Sequence, residues 1–190
     1  MIETDFLRTK FEQALLYDAY VATGKDNHQK AWADFRQSVR TTVEHHSLFE
    51  GFTRRMHVLA ISGTWCGDCV QQVPMLDAIA KLRPDLIGLG LLDRDEHMDL
   101  AERLVINDGN RVPVVLFLNE EFDFVSMYGD RTLTRYRAIA ERQLGASCPL
   151  PGAPVPADEI AATLQDWINE TERAQLVCRM STKLRAKHGD

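Results

Sequence analysis

The chain has few cysteines, no cluster of positive charge and no long apolar run, and each shortage excludes a class of protein. Only four of the 190 residues are cysteine, too few for a scaffold held together by disulfides. The net charge of −6 comes without a basic patch, which argues against nucleic acid or a membrane surface as a partner. No apolar run approaches the roughly 20 residues that a membrane-spanning helix needs.

The N-terminal residues Met1–Asp5 lack the charged segment followed by an apolar segment that marks a secretory signal peptide. We therefore expect a cytoplasmic protein, in a compartment that keeps most thiols reduced. There, two cysteines three positions apart are more often catalytic or metal-binding than structural.

Spacing typical of metal ligands is also missing. A structural zinc site uses about four ligands in closely spaced pairs. Cys66 and Cys69 form one such pair, but Cys148 and Cys178 stand apart and the histidines show no ligand spacing. We therefore expect no metal and no bound cofactor. Cys178 lies on an apolar helical stripe and is predicted to be a core residue. Cys148 is interpreted as a free thiol in a loop without a role in the site, the alternative being a resolving or regulatory thiol.

Hydrophobic residues make up 45% of the chain, enough for a sizeable core, and the length suits one domain with extensions. The apolar pattern predicts three parts: a helical extension over residues 1–51, an alternating α/β domain over 52–144, and a loop with a final helix over 145–190. In the extension, helices are predicted over about 4–22 and 27–50. They would form a hairpin packed on the main domain, with a capping box in which Asp26 pairs with Gln29.

The middle part alternates between strand and helix patterns. Strands are predicted at about 56–62, 86–92, 112–118 and 122–128, and helices at about 66–82, 98–105 and 132–145. A strand–helix–strand unit makes its strands parallel, and the short turn after residue 118 predicts an antiparallel hairpin. Residues 145–157 read as a loop, a last helix begins near Asp158, and the polar tail Lys183–Asp190 is expected to fray.

The sequence Trp65-Cys66-Gly67-Asp68-Cys69 carries the chemistry. It follows a buried strand and opens a helix, which is the context in which C-x-x-C indicates thiol–disulfide exchange. Cys66 would lie at the positive end of the helix, where a thiolate is favoured and acts as the nucleophile. Cys69 would lie one turn further along the same face, as the buried and less acidic resolving thiol.

With these residues in place, the chain resembles the thioredoxin superfamily over about residues 52–144. Trp65 precedes the first cysteine as in thioredoxins, and Pro74 stands where thioredoxins kink their active-site helix. Pro113 stands where they have a cis-proline, and Gly129 where they have a glycine after the last strand. The W-C-G-D-C variant is most similar to a thioredoxin-like subgroup whose substrates are mostly undefined.

The resemblance implies a thioredoxin-like α/β fold, a mixed sheet flanked by helices, with the helical hairpin and a C-terminal helix added. It implies a thiol–disulfide oxidoreductase whose substrate chain is held by Trp65, Gly67, Val112 and Pro113. The expected partners are a protein or small-molecule disulfide as substrate and a reductase or small thiol as electron donor. The alternative is a binding or adaptor protein whose cysteines have lost their chemistry.

Two departures from thioredoxins concern proton transfer. Thioredoxins carry a buried acid six residues before the first cysteine, where this chain has Ala60, and a lysine on the next strand, where it has Leu89. The usual proton handler for the second cysteine is therefore missing. Asp68 is a candidate replacement, and its plainer interpretation is an acid in the first turn of a helix. The other interpretations are that thiol–disulfide exchange is slow, or that a water molecule transfers the proton instead of Asp68.

Overall fold

The computed structural model describes residues 2–144 and 158–190. Within these ranges no helix has the length and apolar character needed to cross a membrane. The predicted loop 145–157, with Cys148, lies outside the described residues. The helices bear these labels: α1 Thr4–Gln13, α2 Tyr17–Ala22, α3 Asp26–Arg36, α4 Val43–Glu50, α5 Gly67–Ala80, α6 Met98–Ala101, α7 Leu133–Leu144, α8 Glu159–Met180 and α9 Thr182–His188.

In the described residues, four strands form one mixed sheet in the order β2-β1-β3-β4. Their bounds are β1 Met56–Ser62, β2 Ile87–Asp93, β3 Val114–Asn119 and β4 Phe124–Gly129. β1 pairs parallel with β2 and antiparallel with β3, and β3 pairs antiparallel with β4. The predicted parallel unit followed by a hairpin is therefore confirmed, and so is the thioredoxin-like fold class.

Every residue of β1 is buried, as expected for an inner strand covered on both faces. Its carboxyl end leads through a short loop into α5, which packs on β1 and β2 and against α3 and α8. Pro74 lies inside α5. This connection sets the position of the C-x-x-C sequence, because the loop begins where the sheet ends and α5 is held from both sides.

The N-terminal extension is helical, but each of its two predicted helices is divided in two. The first is interrupted at Leu15, whose N–H and C=O bond to Leu91 with N···O distances of 2.9 Å. These bonds add a residue to the exposed edge of β2 and outweigh a continuous helix. The second is interrupted before Thr42, which caps α4 in a capping box with His45. The capping box predicted at Asp26 is wrong, since Lys25 is the N-cap and its side chain makes no capping hydrogen bond within the described part of the chain.

The prediction that the tail frays is also wrong. Residues Thr182–His188 form α9, and Leu184 is fully buried. The side chain of Asp190 forms ion pairs with Arg54 and Arg179. Basic side chains of α9 pair with acidic residues of the β3–β4 turn: Lys183 with Glu121 and Asp123, and Lys187 and His188 with Glu120. The polar composition of the tail thus reflects ion pairing around one buried leucine.

Replacing Leu184 by alanine should lower the free energy of unfolding by about 2–4 kcal/mol, because the change leaves a cavity beneath α9. Leu176→Ala on α8 is the matched control, since Leu176 is 52% exposed and its loss should change stability by less than about 0.5 kcal/mol. Denaturant unfolding of both variants measures the difference. Equal effects would mean that α9 is not part of the folded core.

Candidate functional site

The two cysteines of the C-x-x-C sequence lie at the start of α5 with different exposure. Cys66 is the N-cap residue of α5 and is half-buried, whereas the side chain of Cys69 has no exposed surface. Both are free thiols. The loop before them is held by the bond from the Cys66 N–H to the Gly63 carbonyl, 3.0 Å long. One thiol is therefore open to a second molecule and the other is available only to its neighbour.

The surroundings shift the pKa values of the two thiols in opposite directions. The interaction of the Cys69 thiol with the Cys66 sulfur, aided by the backbone N–H groups of Asp68 and Cys69, lowers the pKa of Cys66, although burial and the charge of Asp68 oppose the shift. Burial, together with the hydrogen bond and charge shared with Cys66, raises the pKa of Cys69 well above the ordinary value. The exposed sulfur thus carries the thiolate, as a nucleophile requires.

Val112 and Pro113 lie beside Cys66. The Cys66 thiol faces the Val112 carbonyl, with 3.6 Å between sulfur and oxygen, and the Val112–Pro113 peptide bond is cis. Both residues precede β3, so the Val112 carbonyl is outside the β1–β3 ladder. Gly129 packs against this turn with a φ of +140°, and a Cβ atom there would collide with the Pro113 carbonyl. Only glycine meets both conditions.

Trp65 and Gly67 border Cys66 on the solvent side. Trp65 is 47% exposed, and the Arg94 guanidinium lies 4.7 Å from the centre of its ring. The Arg94 N–H also donates to the Ser62 carbonyl at 2.9 Å, which ties this cation–π contact to the end of β1. Gly67 is exposed, and a Cβ atom there would have no neighbour within 4 Å. The four residues predicted to hold substrate therefore surround Cys66, while their binding role stays a prediction.

Asp68 is held by two arginines. Its carboxylate accepts from Arg131 at 2.5 Å and from Arg135 at 3.1 Å. Burial acts to raise the pKa of Asp68, but the bonds and charges of the two guanidinium groups prevail and lower it. The carboxylate is therefore ionised at neutral pH and neutralised by its neighbours. These contacts join the first turn of α5 to the segment after β4 and to α7, and the predicted part of Asp68 in proton transfer remains a prediction.

The residues that complete this junction were not predicted from the sequence. Gln72 is fully buried, and its amide donates to the Asp130 carbonyl at 3.0 Å while its oxygen accepts from the Thr132 N–H. Asp130 is buried and pairs with Arg111 and Arg131 at 3.3 Å each. A buried glutamine inside an apolar helix is the one sequence signal that could have marked this contact.

The two positions that depart from thioredoxins are apolar and buried. Ala60 has no exposed surface and Leu89 is nearly as buried. Among residues 2–144 and 158–190, no group of three or more histidine, cysteine or acidic side chains is arranged to hold a metal ion. Cys178 is buried, in agreement with its predicted place in the core, and burial raises the pKa of its thiol to about 11.

The fold and the site define a thioredoxin-like protein with a half-exposed and a buried cysteine at the start of one helix. A family model described as Thioredoxin matches residues 14–141, and the chain belongs to this thioredoxin family. The match begins at residue 14 and so includes α2, α3 and α4, beyond the range 52–144 inferred from motifs alone. A search of the curated proteins finds no match.

Two solved structures resemble the chain over most of its length. A protein of unknown function from Pseudomonas aeruginosa is 23% identical, with a TM-score of 0.69 and coverage of 92% of this chain and 97% of that one. An HIV epitope scaffold is 23% identical, with a TM-score of 0.62 and coverage of 92% and 98%. At this level of identity the likeness supports the fold alone.

We expect Cys66 to be alkylated with a pH midpoint below the ordinary thiol value of about 8.5, because its thiolate is stabilised. Cys69 should react slowly at every pH at which the protein stays folded, because its sulfur is buried. The measurement is the alkylation rate against pH in the Cys69→Ser and Cys66→Ser variants. Faster reaction of Cys69 at neutral pH would reverse the assignment of the two thiols.

Replacing Asp68 by asparagine should lower the pKa of Cys66 further, since a negative charge beside the thiolate is removed. A more stable thiolate stabilises the reduced form, so the disulfide should become more oxidising, by less than about 30 mV or tenfold in the equilibrium constant. Equilibration with glutathione buffers measures this. Glu159→Gln is the control, because Glu159 also pairs with Arg135, at 2.5 Å, and should leave the potential unchanged. An unchanged or more reducing potential in Asp68→Asn would contradict the argument.

Proposed function

We propose that this protein is a thiol–disulfide oxidoreductase, of the thioredoxin-like subgroup with a W-C-G-D-C sequence, acting in the cytoplasm. The observation that carries the proposal is the asymmetry of the pair. Cys66 is accessible and has a lowered pKa, whereas Cys69 is buried beside it and has a raised pKa. A pair of cysteines with a purely structural role does not require one accessible, acidic thiol and one buried, weakly acidic thiol.

The first step is attack of the Cys66 thiolate on one sulfur of a substrate disulfide. A bond forms between Cys66 and that sulfur, and the other substrate sulfur leaves as a thiolate that takes up a proton from the solvent. In the second step Cys69 loses its proton and attacks the Cys66 sulfur, which releases the remaining substrate thiolate. The substrate gains two electrons and two protons in total, and Cys66 and Cys69 end as a disulfide.

The substrate chain would lie across Trp65, Gly67 and the Val112–Pro113 turn. The Val112 carbonyl is outside the sheet ladder and faces the Cys66 sulfur at 3.6 Å, so an extended peptide can donate a backbone N–H to it beside the reacting atom. The exposed face of Trp65 offers an apolar contact on the other side. Asp68 would contribute by holding the first turn of α5 in place through Arg131 and Arg135.

A reductase or a small thiol would return the protein to the dithiol form, by the same two steps in reverse. The substrate is a disulfide of a protein or of a small molecule. The chemistry requires no resident cofactor, because the two sulfur atoms carry both electrons.

The test is reduction of a symmetrical aromatic disulfide that releases a coloured thiolate. Cys66→Ser should lose at least 99% of the rate, since the nucleophile is removed. Cys69→Ser should release one equivalent of coloured thiolate and stop at a mixed disulfide that is visible by mass spectrometry. Cys178→Ala is the control, since it removes a thiol outside the site and should keep the wild-type rate.

The competing function is that of an adaptor whose cysteines are inert. It is favoured if Cys66→Ser keeps the wild-type rate, or if the wild-type protein releases no coloured thiolate.

A further inference from the structure

The second step of the proposed reaction places a negative charge on the buried sulfur of Cys69, to which the backbone of Gly63 offers one hydrogen bond. Cys69 must become a thiolate, yet its sulfur is fully buried and burial raises its pKa. Ala60, at the position of the thioredoxin acid, carries no polar group. Unless further donors join the Gly63 backbone N–H, a thiolate at this buried position is costly.

Two buried hydroxyl groups lie behind Cys69. Ser62 is the last residue of β1 and has no exposed surface, and Tyr20 of α2 is 1% exposed. The Ser62 hydroxyl faces the Cys69 thiol, and the Tyr20 hydroxyl faces Ser62. Both are near enough to interact, yet neither forms a hydrogen bond of normal geometry with any residue that the structure describes.

Packing against neighbouring side chains fixes the position of the Tyr20 ring. Its ring packs edge-on against Trp32, with 5.7 Å between ring centres. The Trp32 indole in turn donates to the Thr64 carbonyl at 2.9 Å, in the loop that leads to Cys66. The N-terminal helices therefore support the cysteine loop from behind and place a phenol next to the buried end of β1.

A buried hydroxyl without a good partner costs about 1–3 kcal/mol, and such groups in native proteins call for an explanation. A thiol is a weak hydrogen-bond acceptor, whereas a thiolate is a strong one. In the dithiol state the two hydroxyls have no good hydrogen-bond acceptor among the described residues. When Cys69 is deprotonated, its thiolate becomes a strong acceptor beside them. Hydrogen bonds of this kind tighten only as the reaction proceeds.

We propose that Ser62 donates a hydrogen bond to the Cys69 thiolate in the resolving step, and that Tyr20 donates to Ser62 and so orients it. Ser62 is a catalytic residue in this scheme, since it touches a reacting atom, and Tyr20 is a positioning residue. The proton of Cys69 ends on the departing substrate thiolate, and both hydroxyls keep their own protons. The inference rests on the proposed function and assigns part of the active site to the N-terminal helices.

Other charged groups also face these hydroxyls and set the pH dependence. The sulfurs of Cys66 and Cys69 and the Asp93 carboxylate of β2 place negative charge near Tyr20, which together with burial keeps its pKa high. Tyr20 is thus a neutral donor throughout the working range. Asp68 acts on Cys66 rather than on Tyr20.

The experiment mixes the reduced protein with the coloured aromatic disulfide and follows release of the two thiolate equivalents in time, over a range of pH. The first equivalent reports attack by Cys66 and the second reports attack by Cys69. Ser62→Ala should slow the second phase about tenfold at neutral pH and move its pH midpoint upward. Tyr20→Phe should slow it several-fold with a shift in the same direction, and neither variant should alter the first phase.

Tyr17→Phe is the matched control. Tyr17 lies on the same helix, is also buried and also has a hydroxyl without a hydrogen-bond partner among the described residues, but it neighbours Arg36 and Asp77 rather than the cysteines. It should leave both phases unchanged. The double variant Tyr20→Phe with Ser62→Ala should match Ser62→Ala alone, because Tyr20 acts through Ser62.

The proposal is overturned if Tyr20→Phe and Ser62→Ala behave like Tyr17→Phe, or if both phases slow equally, since a general loosening of the fold would affect both. Denaturant unfolding accompanies the kinetics, and Tyr20→Phe should keep or raise the free energy of unfolding, because a poorly paired hydroxyl is removed. If the wild-type protein releases no second equivalent, the proposed function itself fails. If it shows both phases and the variants leave them unchanged, only the present inference fails.

Discussion

The interaction between the Cys69 thiol and the Cys66 sulfur sets the acidity of both cysteines. It exists because Cys66 begins α5 and Cys69 lies one turn further along, so the second side chain reaches back toward the first. The same contact lowers the pKa of one thiol and helps to raise that of the other. The chemical asymmetry of the pair follows from its position at the end of a helix, and the rest of the fold serves to keep that helix end in place.

Two sets of contacts hold the helix end. On one side, Asp68 and Gln72 join the first turns of α5 to the segment after β4, through Arg131 and the Asp130 carbonyl. These buried ion pairs and amide hydrogen bonds restrict movement of the start of α5, because separating them would leave unpaired polar atoms in the interior. The Val112–Pro113 turn is bounded by the same segment, since Gly129 lies against it. The geometry around Cys66 thus depends on residues from α5, β3 and β4 together.

On the other side, the N-terminal helices support the loop before Cys66. Their contact begins at the edge of β2, where Leu15 pairs with Leu91 and Phe11 of α1 packs over Gly88 and Gly90. It ends at Thr64, which accepts a bond from Trp32. The family match from residue 14 onward agrees with treating this region and the sheet as one structural unit. The extension therefore covers an open sheet edge and also reaches the buried side of the site.

The sequence by itself determined the elements whose signals are local: the buried strand before the C-x-x-C, the parallel unit and hairpin, and the exposure of Cys66 relative to Cys69. These follow from apolar period, turn residues and the placing of thiols at a helix start. Only the tertiary structure decided the interruption at Leu15, the helix around Leu184, and the partners of Asp68. Each depends on a group that is distant in sequence, such as the free edge of β2 or a guanidinium of α7. A local sequence pattern cannot predict such a partner, because only folding brings the two groups together.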